Sequence, residues 1–204
     1  MTMTESKPAE VATVLTLTWE ELAALTTVGA SAATDRGRPI LMAVHLSTAD
    51  GRLTAEATDS YSLARVSVAS DAQGVDVLIP AKWLDEVRKA TKVTRAPKRP
   101  VTLIIGADTV EASDGNVTLI AQVVAGNYPE LNSIIPAEAS YVHEFAAFNP
   151  SLLARMAKIL PPVSAKDKER VWKVLSMSAT RPSVWSTSTP VATALFLLMP
   201  VRVS

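Results

Sequence analysis

The chain has 204 residues, of which 48% are hydrophobic, 20% charged and 5% aromatic, with a formal net charge of +0. A fold of that length hides roughly 70% of the surface of its unfolded chain, and a mean hydropathy of +0.21 excludes disorder over most of it. With no cysteine and only two histidines, His45 and His143, a disulfide scaffold, thiolate-held metal, thiol catalysis and a histidine-rich metal centre are excluded.

Residues 1–11 read as a flexible polar leader without a basic-then-apolar signal pattern, and the longest apolar run, Ala194–Val201, is too short to span a bilayer. The cytoplasm is therefore the expected compartment. Val14–Thr16 alternates as a short strand. Thr18-Trp19-Glu20-Glu21 then has the spacing of a capping box, which opens a helix expected to run to about Ala33. Its two carboxylates are better placed to offset the helix dipole than to act as an acid/base pair.

Strands are expected at Pro39–Thr48 and Arg52–Thr58 around an Ala49-Asp50-Gly51 turn, then at Ser62–Ala69 and Val75–Ile79. Pro80 introduces a second helix over Ala81–Thr91. Leu84, Val87, Ala90 and Thr91 fall on its core side, and Lys82, Arg88, Lys89 and Lys92 fall nearly opposite. Val101–Ile105, Thr109–Ser113 and Asn116–Val124 read as three further antiparallel strands, followed by an extended, proline-bracketed Tyr128–Pro136.

Strand, helix and sheet thus occur twice over residues 12–136, an internal duplication by pattern. The order starts again with a strand at Val142–Phe148, an Asn149 cap with Pro150, and a helix over Ser151–Leu160. In that helix Leu152, Leu153, Met156 and Ile159 are expected inside, with Arg155 and Lys158 outside. Strands at Val171–Ala179, Ser183–Thr187 and Ala194–Val203 follow a charged loop at 166–170.

The zero net charge conceals a segregation. Residues 81–99 hold seven basic and two acidic side chains, and residues 151–173 hold six and two. Residues 1–80 hold five basic against ten acidic, and residues 100–150 hold six acidic and none basic. Two positive blocks coincide with the second and third helices, as an electrostatic footprint for nucleic acid requires, although solvated helix faces also carry such charge. Seven scattered glycines form no phosphate-cradling loop, and there is no nucleophile motif or metal-ligand cluster. A lone Asp59 in a strand turn is a local hydrogen-bond acceptor before it is a catalyst. The chain is not expected to be an enzyme or to need a cofactor.

Four segments carry a resemblance. Ala57-Thr58-Asp59-Ser60-Tyr61-Ser62-Leu63-Ala64, Val77-Leu78-Ile79-Pro80-Ala81-Lys82, Gly126-Asn127-Tyr128-Pro129-Glu130 with Ile134-Ile135-Pro136, and Leu198-Met199-Pro200-Val201-Arg202-Val203 occur in the order seen in the bacterial beta sliding clamp, the beta subunit of DNA polymerase III. The chain resembles one complete clamp domain, residues 12–136, followed by a half-domain, residues 137–204. A shortened form of this kind would suit a compact genome such as a phage's.

The resemblance implies an α+β DNA-clamp fold, with antiparallel sheets outside and helices on the inner face of a ring. Duplex DNA would be held without sequence preference by Lys82, Arg88, Lys89, Lys92, Arg155 and Lys158. Helix one has no basic residue between Thr18 and Ala33, which departs from a uniformly positive channel.

The family also has a hydrophobic groove for short peptides of the replicative polymerase and clamp loader. Carried onto this sequence, its walls would be Arg38 and Leu41 with Thr58, Ser60, Tyr61, Ser62 and Leu63. Pro129, Ser133 and Ile134 would add a second wall. Asn149 and Leu152, with Leu197, Met199, Pro200, Val201, Arg202 and Val203, would supply the third. Ser60 stands where the family has glycine, Ser62 where it has arginine or a similar residue, and Leu152 at a position that is aromatic in some members. With twelve half-units to a ring and three per chain, a tetramer is favoured over a trimer or dimer. The alternative is a clamp mimic that does not encircle DNA and only sequesters clamp-binding peptides.

Overall fold

A computed structural model describes residues 12–92, 98–160 and 171–201; the leader, the 166–170 charged loop, Arg202 and Val203 lie outside the described residues. Strand β1 (Thr13–Leu17) leads into α1 (Trp19–Thr26), then β2 (Ala43–Ala49), β3 (Arg52–Thr58) and β4 (Ser62–Ala69). Strand β5 (Asp76–Pro80) leads into α2 (Ala81–Ala90), then β6 (Val101–Ile105), β7 (Thr109–Ser113) and β8 (Thr118–Gln122). After α3 (Pro150–Met156) come β9 (Lys173–Ser176), β10 (Ser183–Ser188) and β11 (Ala192–Leu198).

The two repeats exchange their first strands. Strand β1 pairs with β6 in a four-stranded sheet, β1-β6-β7-β8, while β5 pairs with β2 in a seven-stranded sheet, β5-β2-β3-β4-β11-β10-β9. Every pairing between these strands is antiparallel. Exchange ties the repeats together, because neither sheet is complete without a strand from the other. The third unit adds to the same sheet through β4 and β11, in a register that sets Leu63 opposite Leu197 and Ala64 opposite Phe196.

Alternation along these strands sends Ala55, Ala57, Ala64, Val66, Phe196 and Leu198 into one core under the helices. Phe196 is completely buried and meets Trp172 and Trp185 with ring centroids 6.3 and 6.1 Å apart. The small alanines of β3 and β4 leave the volume that these aromatic rings fill.

Capping of α1 follows the sequence expectation: the Glu21 amide donates to Thr18 Oγ1 at 3.2 Å, and the Thr18 amide donates to Glu21 Oε2 at 2.8 Å. The helix stops earlier than expected. Thr26 and Thr27 donate their hydroxyls back to Ala23 O and Ala24 O, and a 3₁₀ turn, Thr27–Ser31, replaces the last α-helical turns.

In α2 the buried positions are Trp83, Leu84 and Val87, with Thr91 beyond the helix end; Ala90 is exposed. The indole of Trp83 covers more apolar area than a methyl group, so it sets the rotation of the helix. Helix α3 is also shorter than expected. Its last residues tighten to i→i+3 bonds, Lys158 N to Arg155 O at 2.9 Å and Ile159 N to Met156 O at 3.2 Å, and Leu160 turns away at φ 47. Leu153 points outward, at 36% exposure.

Three further expectations change. Pro39–Met42 is a 3₁₀ turn ahead of β2, because proline cannot donate to a ladder. Leu131–Ile134 likewise turns instead of extending. The strand expected at Val142–Phe148 is reduced to two isolated bridges, His143 with Met177 and Ala147 with Val201. The Glu144 carboxylate there accepts from the Ala179 amide and Ser178 hydroxyl, which anchors the segment across the end of β9.

Candidate functional site

The β3–β4 turn is built around Asp59. Its Oδ1 accepts from the Tyr61 amide at 3.0 Å and the Ser62 amide at 2.8 Å, and its Oδ2 accepts from Arg155 Nη1 at 2.6 Å. Burial pushes the Asp59 carboxyl up, but the Ser62 and Tyr61 amides and the Arg155 guanidinium outweigh it, so its pKa lies below the ordinary value. Ser60 has φ 79, the left-handed region that a glycine occupies without strain. This turn leaves Tyr61 standing out at 60% exposure. Arg38 braces it from the side, donating from Nη1 to Asp59 O at 3.1 Å and to Ser60 Oγ at 3.2 Å.

The chain end reaches the same place. The Met199 amide donates to Tyr61 O at 3.0 Å, and the Val201 amide donates to Ala147 O at 2.7 Å. Met199 and Val201 are 39% and 48% exposed. Between 128 and 135 the chain crosses the face of β4 and β11 away from the helices. Leu131 packs on Leu63, Leu197 and Val184 there as a second, small core, with Tyr128 and Ile135 at its margin. Ile134 stands out at 45% exposure, Pro129 and Ser133 are also exposed, and the Ser133 hydroxyl donates to Glu130 O at 2.8 Å.

Of the groove positions named from sequence, Tyr61 and Met199 are joined directly by a backbone bond, and Arg38 and Ser60 by a side-chain bond. Leu63 and Leu197 are corrected: each is only 2% exposed, packed beside Val184 of the neighbouring strand and closed beneath Leu131, because their cross-strand pair forms an apolar patch that the 128–135 segment covers. Thr58 and Ser62 are buried in the turn's own bonding, with Thr58 Oγ1 donating to Ser62 O at 2.8 Å. Leu41 is half-buried, Leu152 packs against the main core, Pro200 is half-buried, and Asn149 caps α3 by accepting from the Ser151 amide at 2.9 Å. Of the groove positions named from sequence, the exposed apolar side chains are therefore Tyr61, Pro129, Ile134, Met199 and Val201. Leu131 was legible in sequence only as one more apolar residue between prolines.

The basic residues divide differently from the helical-wheel expectation. Arg155 is not on an outer face. It turns inward to Asp59 and also donates to Ser62 Oγ at 3.1 Å, since a buried carboxylate on a neighbouring strand turn offers it a stronger partner than water. On α2, Arg88 and Lys89 both pair with Asp85, at 2.5 and 2.6 Å, and Lys82 lies 3.9 Å from Glu86. Lys82 and Lys89 nevertheless remain open, with side chains 91% and 67% exposed. Lys92 and Lys158 are exposed as well. Lys98, which the sequence reading did not single out, bonds Glu20 at 2.5 Å and lies 4.5 Å above the Trp19 ring centroid. The α1–α2 contact, Lys158 and Leu160 border one cavity of about 650 Å³, so the segments carrying the three helices share a face.

A family model described as DNA polymerase III beta subunit, central domain, matches residues 17–130. Among curated relatives, the beta sliding clamp of Bacillus subtilis is 30% identical over 150 residues, covering 68% of this chain and 39% of the relative. That of Halalkalibacterium halodurans is 26% identical over 172 residues, covering 78% of this chain and 44% of the relative. The chain thus spans less than half the length of these relatives. Among solved structures, the DNA polymerase sliding clamp from Bacillus subtilis superimposes with a TM-score of 0.74 at 19% identity, covering 100% of this chain and 67% of that one. The DNA polymerase III beta chain from Streptococcus pneumoniae gives 0.75 at 19% identity, covering 98% and 67%.

Proposed function

Because the chain belongs to the DNA polymerase III beta-subunit family, the bacterial beta sliding clamps, we propose that it is a non-catalytic clamp that encircles duplex DNA and tethers replication proteins. The observation that carries this reading is the separation of surfaces. Segments carrying the three helices border one cavity with the exposed Lys92 and Lys158 at it, and Lys82 and Lys89 stand open on α2. The exposed Tyr61, Ile134, Met199 and Val201 belong instead to the β3–β4 turn, the 128–135 segment and the residues after β11.

Phosphate contact through lysines is independent of sequence, which suits a ring that slides. A methionine and a tyrosine beside aliphatic side chains accommodate varied peptide residues, which suits short segments of a polymerase and a clamp loader. For this 204-residue chain a closed ring of four copies is the proposed assembly. The outer edges of β8 and β9, at the ends of their sheets among the described strands, are its proposed contact.

A second reading, a clamp mimic that only occupies clamp-binding peptides, draws support from the self-neutralised charges of α2 and the inward Arg155. Sedimentation of the protein, followed by retention on nicked circular DNA before and after linearisation, separates the two. A clamp is expected as a closed oligomer that stays on circles and runs off ends. Lys82→Glu, Lys89→Glu and Lys158→Glu together should flatten the salt dependence by roughly one logarithmic slope unit per lost phosphate contact. A monomer that is retained on neither form would refute encirclement.

A further inference from the structure

The cavity of about 650 Å³ on the helical face lies within the size range of small-molecule sites. Its floor is Ala23, Ala24, Gly29, Ala30 and Ala81, small residues that leave the α1–α2 seam unfilled. A Cβ added at Gly29 would meet only the Ala81 Cβ, at 3.6 Å, an ordinary contact, so the glycine leaves room in the seam. Trp19 closes one end, and Leu160 and Val191 line the other parts of the wall. Four cations border the space, Arg88, Lys92, Lys98 and Lys158, against two carboxylates, Glu20 and Asp85. Those carboxylates are already bonded to Lys98 and Arg88, so the excess charge is positive.

An apolar slot ending in an indole, under a rim with excess positive charge, matches a flat ring that carries a phosphate. We propose that this cavity takes one nucleotide of single-stranded DNA, its base against Trp19 and its phosphate among Lys92, Lys98 and Lys158. Lys98 now rests over the indole. A base would take that place, and the long lysine stem would turn its ammonium to the phosphate. Such stacking tolerates any base. A paired base cannot enter, because it is held inside the duplex stack, so the site distinguishes a free strand from a duplex. The cavity stands on its own residues; only the source of the strand, DNA lying along the helical face, rests on the clamp reading.

The test is titration of the full chain with oligothymidylate, with blunt duplex and with thymidine monophosphate, by anisotropy and tryptophan fluorescence. Ala23→Met and Ala30→Met, made separately, fill the cavity from two sides. Each is expected to weaken oligothymidylate binding about tenfold, the scale of one lost stack, and to leave duplex retention as it was. Trp19→Phe is expected to keep part of the affinity but lose the fluorescence quenching.

Duplex binding without oligothymidylate binding overturns this site and leaves the clamp reading intact. Oligothymidylate binding that both fillings weaken, in a protein that ignores duplex, supports the site while the clamp reading fails. Unchanged oligothymidylate affinity in both folded variants overturns the site. So does the monophosphate binding as tightly as the oligonucleotide, since the strand would then not be the ligand, and so does capture of an acidic aromatic peptide in place of either.

Discussion

Replacing Arg155 by alanine should loosen the third unit from the complete repeat pair, because its guanidinium reaches from α3 to the turn between β3 and β4. The pair is neither exposed nor sealed: side-chain exposures are 25% for Arg155 and 9% for Asp59, at 2.6 Å. Exposed pairs are worth about 0–1 kcal/mol, while removing one partner of a sealed pair costs about 3–5 kcal/mol. Asp59 keeps its two amide donors when the arginine is gone, so the orphaned charge is only partly unsatisfied. We expect Arg155→Ala to cost about 2 kcal/mol in urea unfolding.

A double-mutant cycle with Asp59→Asn isolates the pair, since asparagine retains the Oδ1 acceptor for Tyr61 and Ser62. The coupling should be about 1–2 kcal/mol. The same pair sets an acid limit. With its folded pKa depressed, Asp59 contributes stability that is present above its unfolded pKa and disappears as pH falls through the folded value. In Arg155→Ala that acid-side loss should shrink. A coupling within about 0.3 kcal/mol of zero, with an unchanged acid limb, would refute the account.

Ser60→Gly should stabilise the fold by a few tenths to about 1 kcal/mol, as relief at φ 79 exceeds loss of the Arg38 bond and the greater freedom of the unfolded glycine; thermal melts will show the sign. Phe196→Ala should cost about 3–5 kcal/mol in denaturant unfolding, since a completely buried ring against two tryptophans leaves a cavity that β-sheet neighbours cannot collapse into. His45 Nδ1 lies 3.5 Å from Glu56 Oε2 and its Nε2 lies 2.7 Å from Asp76; Glu56 foremost holds its pKa above the ordinary value despite burial. Its contribution is therefore complete below the unfolded pKa and lost as pH rises through the folded one, so His45→Gln should flatten the stability curve between those two values in a pH series of urea melts.

Local pattern determined the elements whose cause is local. Thr18 and Glu21 specify where α1 begins because both partners of the capping box lie within one turn. The Ala49-Asp50-Gly51 turn sets the β2–β3 hairpin for the same reason, with Asp50 and Gly51 both at positive φ. Four short motifs were enough to indicate the family, since each marks a local feature, a turn, a helix entry or the end of a strand, that is written within a few consecutive residues.

Pairing between distant strands was not legible, because alternation says which face a residue takes but not which strand lies beside it. The exchange of β1 and β5 between the two repeats, and the joining of β4 to β11, are tertiary decisions. They account for the corrections at the site. Leu63 and Leu197 each read as available groove residues, but only their cross-strand meeting makes the apolar patch that Leu131 closes. Arg155 lay on the polar side of a helical wheel, but a wheel has no knowledge of the Asp59 carboxylate 96 positions earlier in the chain. Charge attraction at short range then overrides helical phase, and that range is set by the fold alone.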